Sequence, residues 1–113
     1  MNKDLDRLVQ QLCVGKRCAI CKGQATEIHH IIGRANKFLR YDPINLLPVC
    51  HSCHCKIHDK ALDPFEYISP ERAGILKRLK NKSYRDILTF ELQMSEEEFL
   101  RKCRSYIKEL LSQ

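Results

Sequence analysis

Two Cys-x-x-Cys pairs, Cys18 with Cys21 and Cys50 with Cys53, constrain this chain more than any other feature. A two-residue gap lets both thiolates of a pair curl onto one ion, and two such pairs complete a tetrahedral zinc site. The stretch between them, residues 22–49, is then a loop closed at its base by the metal. Seven cysteines in 113 residues would suit a disulfide scaffold in a secreted chain. The N-terminus, Met1-Asn2-Lys3-Asp4-Leu5-Asp6, lacks the basic-then-apolar layout of a signal peptide, so a reducing compartment and structural Zn2+ are expected instead. Cys13 and Cys103 fall on apolar helix faces and read as buried thiols, whereas Cys55 has no evident use. His51, inside the second pair, is an alternative ligand in place of one thiolate.

Charge narrows the partner. Lys and Arg total 20 against 14 Asp and Glu, a formal net charge of +6 with pI near 9.0, which suits a polyanion such as nucleic acid. No apolar run approaches the roughly 20 residues a membrane span needs. A soluble, cytoplasmic protein with no membrane partner is expected.

Hydrophobic spacing places the elements. Leu5, Leu8, Val9 and Leu12 recur at helical spacing, and Gly15 supplies a stop, predicting an N-terminal helix over about 1–15. Glu27 to Ile32 and Asn45 to Val49 read as two strands, separated by a basic loop containing Gly33 and Pro43. Residues 51 to about 60 lack Gly and Pro and can form a helix, on which His54 and His58 share a face. Ser69-Pro70-Glu71 opens a further helix carrying Ala73, Leu76 and Leu79. Ser95 and Glu98 form a capping box ahead of an amphipathic run through Phe99, Leu100, Cys103, Ile107, Leu110 and Leu111. Between these, Ser83 to Met94 fits both a helix (Tyr84, Ile87, Leu88) and a strand (Leu88, Phe90, Leu92, Met94).

The order His29-His30, then Asn45 in Ile44-Asn45-Leu46-Leu47-Pro48-Val49, then Cys50-x-x-Cys53-His54 and His58, resembles the HNH endonucleases of the ββα-metal (His-Me finger) superfamily. The fold expected is α+β: a single domain over 1–113, with a zinc-stapled ββα-metal core at about 16–60 and a helical extension over 61–113. The resemblance implies that His29, His54 and His58 hold a catalytic divalent ion, that His30 is the general base, and that Asn45 orients His30. Adjacent strand residues face opposite ways, so His29 and His30 can serve different partners. The match is close to the nuclease colicins, which also carry His-His and a final His-x-x-x-His. Many HNH proteins have Asp where this chain has His29, and three imidazoles leave Mg2+, Mn2+, Zn2+ and Ni2+ open.

Arg34, Lys37 and Arg40 lie in the inter-strand loop, where they could grip a phosphate backbone; Arg34 is the expected transition-state contact. Lys77, Arg78, Lys80 and Lys82, with Arg85, form a second basic group that could extend a DNA footprint. A narrower resemblance covers residues 18–111: His-His-Ile-Ile-Gly-Arg, Leu39 to Asn45, Cys-x-x-Cys-His and a basic helical tail are similar to phage recombination endonucleases of the Rap (NinG) type. It implies a phage or prophage origin and branched DNA as partner, with a dimer through the amphipathic last helix as one route to that selectivity. Two other readings stand beside it: a non-catalytic zinc-dependent nucleic-acid-binding module, and an HNH nuclease of phage packaging or restriction.

Overall fold

A computed structural model describes residues 2–113. The chain begins with α1 (Lys3–Gln10), capped by Asn2, whose Oδ1 accepts from the Leu5 amide at 3.0 Å. A 3-10 turn over Gln11–Cys13 ends it, and Gly15 then takes φ +75°, a conformation that costs glycine little. The helix is thus shorter than the 1–15 expected. Leu5 and Val9 are buried against Ile28, Leu46, Tyr41 and Ile107, so that N-terminal, hairpin and C-terminal residues share one core.

Two four-residue strands follow, β1 (Glu27–His30) and β2 (Leu46–Val49), paired antiparallel with His29 opposite Leu47 and His30 opposite Leu46. The second cysteine pair leads straight into α2 (His51–His58): Cys50 is its N-cap residue, and its Sγ accepts from the Cys53 amide at 3.4 Å. A second cluster, Cys18, Leu47, Val49, Cys53 and Ile57, joins β2 to α2.

α3 (Pro70–Leu79) begins at Ser69, whose Oγ accepts from the Arg72 amide at 3.1 Å. Arg72 fastens this helix to the hairpin, its Nε donating to the Ile44 carbonyl at 2.6 Å and an Nη to that of Leu46 at 2.9 Å. The segment with two candidate periodicities is helical: α4 (Tyr84–Asp86) runs into a π-helical turn over Ile87–Leu92 and stops at Gln93 with φ +52°. A strand would have put Leu88, Phe90 and Leu92 on one side, but Ile87 and Leu88 are buried together while Phe90 is 74% exposed.

α5 (Glu96–Leu111) is capped by Ser95, which accepts from the Glu98 amide at 3.1 Å. Its apolar face lies on the chain's own core: Phe99 stacks on Phe38, Ile107 is fully buried, and Leu100, Cys103 and Leu111 pack beside Leu5 and Val9. The face considered for a dimer is therefore largely spent inside the protomer. Among the described residues no helix is long and apolar enough to cross a membrane.

Arg40, one of the loop cations expected to meet phosphate, is committed elsewhere. Its Nε and Nη2 donate to the two carboxylate oxygens of Asp6, both at 2.9 Å, tying the inter-strand loop to α1 across 34 positions of sequence. Burial opposes the charge on Asp6, but the Arg40 hydrogen bonds outweigh it and hold the carboxyl below 3.8. A depressed carboxyl pKa contributes stability that is present above the unfolded value and lost as pH falls through the folded one. Asp6→Asn should therefore lower stability by about 1–3 kcal/mol at pH 7, and this difference should shrink at an acidic pH low enough to protonate the folded-state carboxyl, whose pKa lies below 3.8. Urea unfolding at the two pH values checks it; an equal cost at both would remove the ion pair as its source.

Candidate metal centre

The four cysteines of the two Cys-x-x-Cys pairs converge. Their sulfurs all lie within 4.8 Å of one another, and those of Cys21 and Cys50 are 3.7 Å apart. Two thiolates at the tetrahedral angle around zinc, with Zn–S of about 2.3 Å, stand about 3.8 Å apart, so the spacing fits that ion. Backbone amides support the sulfurs: Ile20 N–H points at Cys18 and Gly23 N–H at Cys21, each at 3.4 Å. Burial opposes ionisation of Cys18, yet the surrounding backbone N–H groups outweigh it and bring its thiol to about 6. Cys53 is pushed up to about 12 by burial and by the neighbouring sulfurs. The set is therefore positioned to bind a metal ion, consistent with structural zinc. His51 does not join it, because its imidazole is turned to Glu27. Cys13 is in the α1 core, and Cys103 is half-buried with its thiol pushed up to about 11 by burial.

A second group of donors is made of imidazoles alone. β1 presents His29, and α2 presents His54 and His58 one turn apart. Ring centroids are 5.0 Å (His29 to His54), 5.6 Å (His29 to His58) and 4.7 Å (His54 to His58), and the donor nitrogens fall within 4.8 Å of one another. The Nε2 atoms of His54 and His58 approach to 3.1 Å. Burial, and then the neighbouring histidines, lower the pKa of His29 to about 4, so its ring is neutral at physiological pH. Neutral imidazole is the form that ligates metal. These three residues could hold an ion.

Glu27 orients the set, and the motif reading missed it. One carboxylate oxygen accepts from His54 Nδ1 at 2.6 Å and the other from His51 Nδ1 at 2.9 Å. Hydrogen bonds from His54 first, and His51 next, hold its carboxyl below the usual value. With Nδ1–H committed to the carboxylate, His54 Nε2 keeps its lone pair, as in carboxylate–histidine–metal sites. The signal was present in the sequence: Glu27 stands two residues before His29, hence on the same face of the strand.

His30 faces a different partner. Its Nε2 lies 3.1 Å from the Arg40 carbonyl oxygen. A carbonyl can only accept, so Nε2 carries the proton and the Nδ1 lone pair is left available. Burial first, and the Arg34 charge next, lower its pKa, favouring the neutral ring.

Asn45 differs from expectation. Fully buried, its Oδ1 accepts from the Ile32 amide at 2.6 Å, and its Nδ2 donates to the carbonyls of Ile32 and Leu39 at 2.9 and 3.1 Å. The amide is spent on backbone and does not orient His30. It acts a step further back, holding the loop whose Arg40 carbonyl meets the imidazole. Asn45→Ala leaves the Ile32 N–H and carbonyl without these partners, while the Leu39 carbonyl keeps the Asp42 amide at 3.2 Å, and should cost about 3 kcal/mol. Denaturant unfolding reads this, and a loss under about 1 kcal/mol would mean that water replaces the amide.

The remaining basic residues are closer together than their sequence positions suggest. Asn36 donates to the Lys80 carbonyl at 3.1 Å, and Ile32, Leu39 and Leu76 form one cluster, so the inter-strand loop packs on α3. Arg34, Lys37, Arg78 and Lys80 are all exposed on these two elements. Lys77 lies over the Phe65 ring at 5.1 Å, and Lys82 pairs with Glu91 at 2.8 Å. Comparisons with protein-family models, curated proteins and solved structures returned no match to this chain.

Proposed function

We propose that this protein is a metal-dependent DNA endonuclease of the HNH type. The observation that carries the reading is the meeting of three imidazoles, from His29, His54 and His58, across β1 and α2, with a separate neutral histidine at the next position. Phosphodiester hydrolysis needs a base for the attacking water and positive charge for the phosphate. A divalent ion at the three histidines would supply Lewis acidity and charge. His30 Nδ1 takes the proton of the attacking water. Arg34, exposed beside His30, contacts the phosphate, and Lys37, Arg78, Lys80, Lys77 and Lys82 extend the hold on the backbone. The similarity to phage recombination nucleases extends the proposal to branched DNA.

The test is a panel of Mg2+, Mn2+, Zn2+ and Ni2+ with supercoiled plasmid, linear duplex and a four-way junction. Cleavage should require added metal, disappear in His29→Ala, and be faster on the junction than on linear DNA. Binding should weaken steeply with salt and show little sequence preference, because counterion release drives phosphate contacts. Salt-sensitive binding without cleavage under every metal would replace this reading with a zinc-stapled nucleic-acid-binding module. Equal cleavage of junction and linear DNA would leave the nuclease and remove the branched substrate.

A further inference from the structure

One potential metal donor pair is used by neither donor set. His51 and Cys55 lie four residues apart on α2, on an exposed strip beside the His54–His58 edge. His51 Nε2 and Cys55 Sγ are 3.5 Å apart. A nitrogen and a thiolate bound to one zinc at the tetrahedral angle, with bonds of about 2.05 and 2.3 Å, stand about 3.5 Å apart. The imidazole is already fixed in the ligating form. Glu27 accepts from its Nδ1 at 2.9 Å, which leaves the Nε2 lone pair directed at the sulfur side. An exposed histidine with no task samples several rotamers; this one, 76% exposed, is held by a carboxylate at one nitrogen and meets a thiol at the other.

We propose that His51 Nε2 and Cys55 Sγ form an additional, solvent-open chelate for a thiophilic divalent cation such as Zn2+ or Cd2+, with Glu27 as its orienting carboxylate. On binding, the metal–sulfur bond replaces the S–H bond and the proton passes to solvent, while water fills the other coordination positions. Two protein ligands make an exchangeable site, unlike the four-cysteine set, whose four donors can complete a tetrahedral shell. Glu27 gives one oxygen to His51 and the other to His54, so a single carboxylate serves this chelate and the three-histidine group. The inference does not depend on the nuclease reading.

Alkylation of Cys55 tests it, because a metal-bound thiolate reacts far more slowly than a free one. Full-length protein with its tightly held metal retained is treated with N-ethylmaleimide, with and without a small excess of Cd2+, and labelling at each cysteine is read by peptide mass spectrometry. Cd2+ should slow labelling of Cys55 by about tenfold or more. His51→Ala should abolish that protection, Glu27→Gln should shift it to about 10–100-fold higher Cd2+, and His54→Ala should leave it in place. Cys55→Ser should bind one fewer exchangeable Cd2+ per chain at equilibrium dialysis. Labelling that is unchanged by Cd2+, or protection equal in His51→Ala and the unmodified protein, would overturn the chelate. Protection lost in His54→Ala but kept in His51→Ala would assign Cys55 to the three-histidine ion instead.

Discussion

Replacing His30 with alanine should reduce metal-dependent DNA cleavage by about 100-fold or more, the usual scale for losing a positioned base. Metal content, fold and DNA binding should stay as they are. The side chain makes one polar contact, to the Arg40 carbonyl, and belongs to neither donor cluster. Its environment suits a base: burial, and then the charge of Arg34, favour the neutral ring, and the carbonyl fixes the tautomer. His29→Ala, one residue away, should differ in kind, because it removes a donor of the three-imidazole group and so lowers metal occupancy as well as cleavage. Measuring bound metal alongside cleavage separates the two. Undiminished cleavage by His30→Ala, in a sample with normal metal content, would sink the assignment of the base.

Loss of the four-cysteine ion should unfold the protein. Structural zinc contributes apparent binding free energies of about 10–16 kcal/mol in small zinc-dependent domains, comparable to or above the about 5–15 kcal/mol total stability of a typical domain. The core around these cysteines is small: among the described residues Leu47, Val49 and Ile57 are buried in it beside Cys18 and Cys53, with a rim of partly buried residues such as Ile31 and Ile68. Both histidine-bearing elements are anchored there, since Cys50 caps α2 and Val49, the last residue of β2, pairs with Glu27 at the start of β1. Purified protein should carry one zinc that survives mild chelation. Cys18→Ser, or a chelator strong enough to strip that zinc, should abolish the cooperative thermal transition seen by circular dichroism. A zinc-free protein that still melts cooperatively would refute the structural role of this cluster.

The readings that the sequence supported by itself were local ones. The two-residue gaps of Cys18-x-x-Cys21 and Cys50-x-x-Cys53, the one-turn spacing of His54 and His58, and the caps Ser69 and Ser95 are short-range geometry, and backbone sterics make such spacings legible without a partner. The convergence of the cysteine pairs was legible for a related reason, because a tetrahedral ion takes four ligands and two Cys-x-x-Cys pairs supply four thiolates.

Tertiary packing decided the rest. Asn45, Arg40 and Glu27 each carry polar groups that several neighbours could satisfy, and which neighbour does so depends on how elements far apart in sequence come to rest. Asn45 meets the Ile32 and Leu39 backbone instead of His30, Arg40, expected to grip a phosphate backbone, meets Asp6, and Glu27 meets two imidazoles from α2. The helical state of Ile87 and Leu88 was likewise chosen by burial, since their spacing allowed a strand equally well. Buried polar groups must find partners, and the pattern of residues names the candidates while only the folded arrangement selects among them.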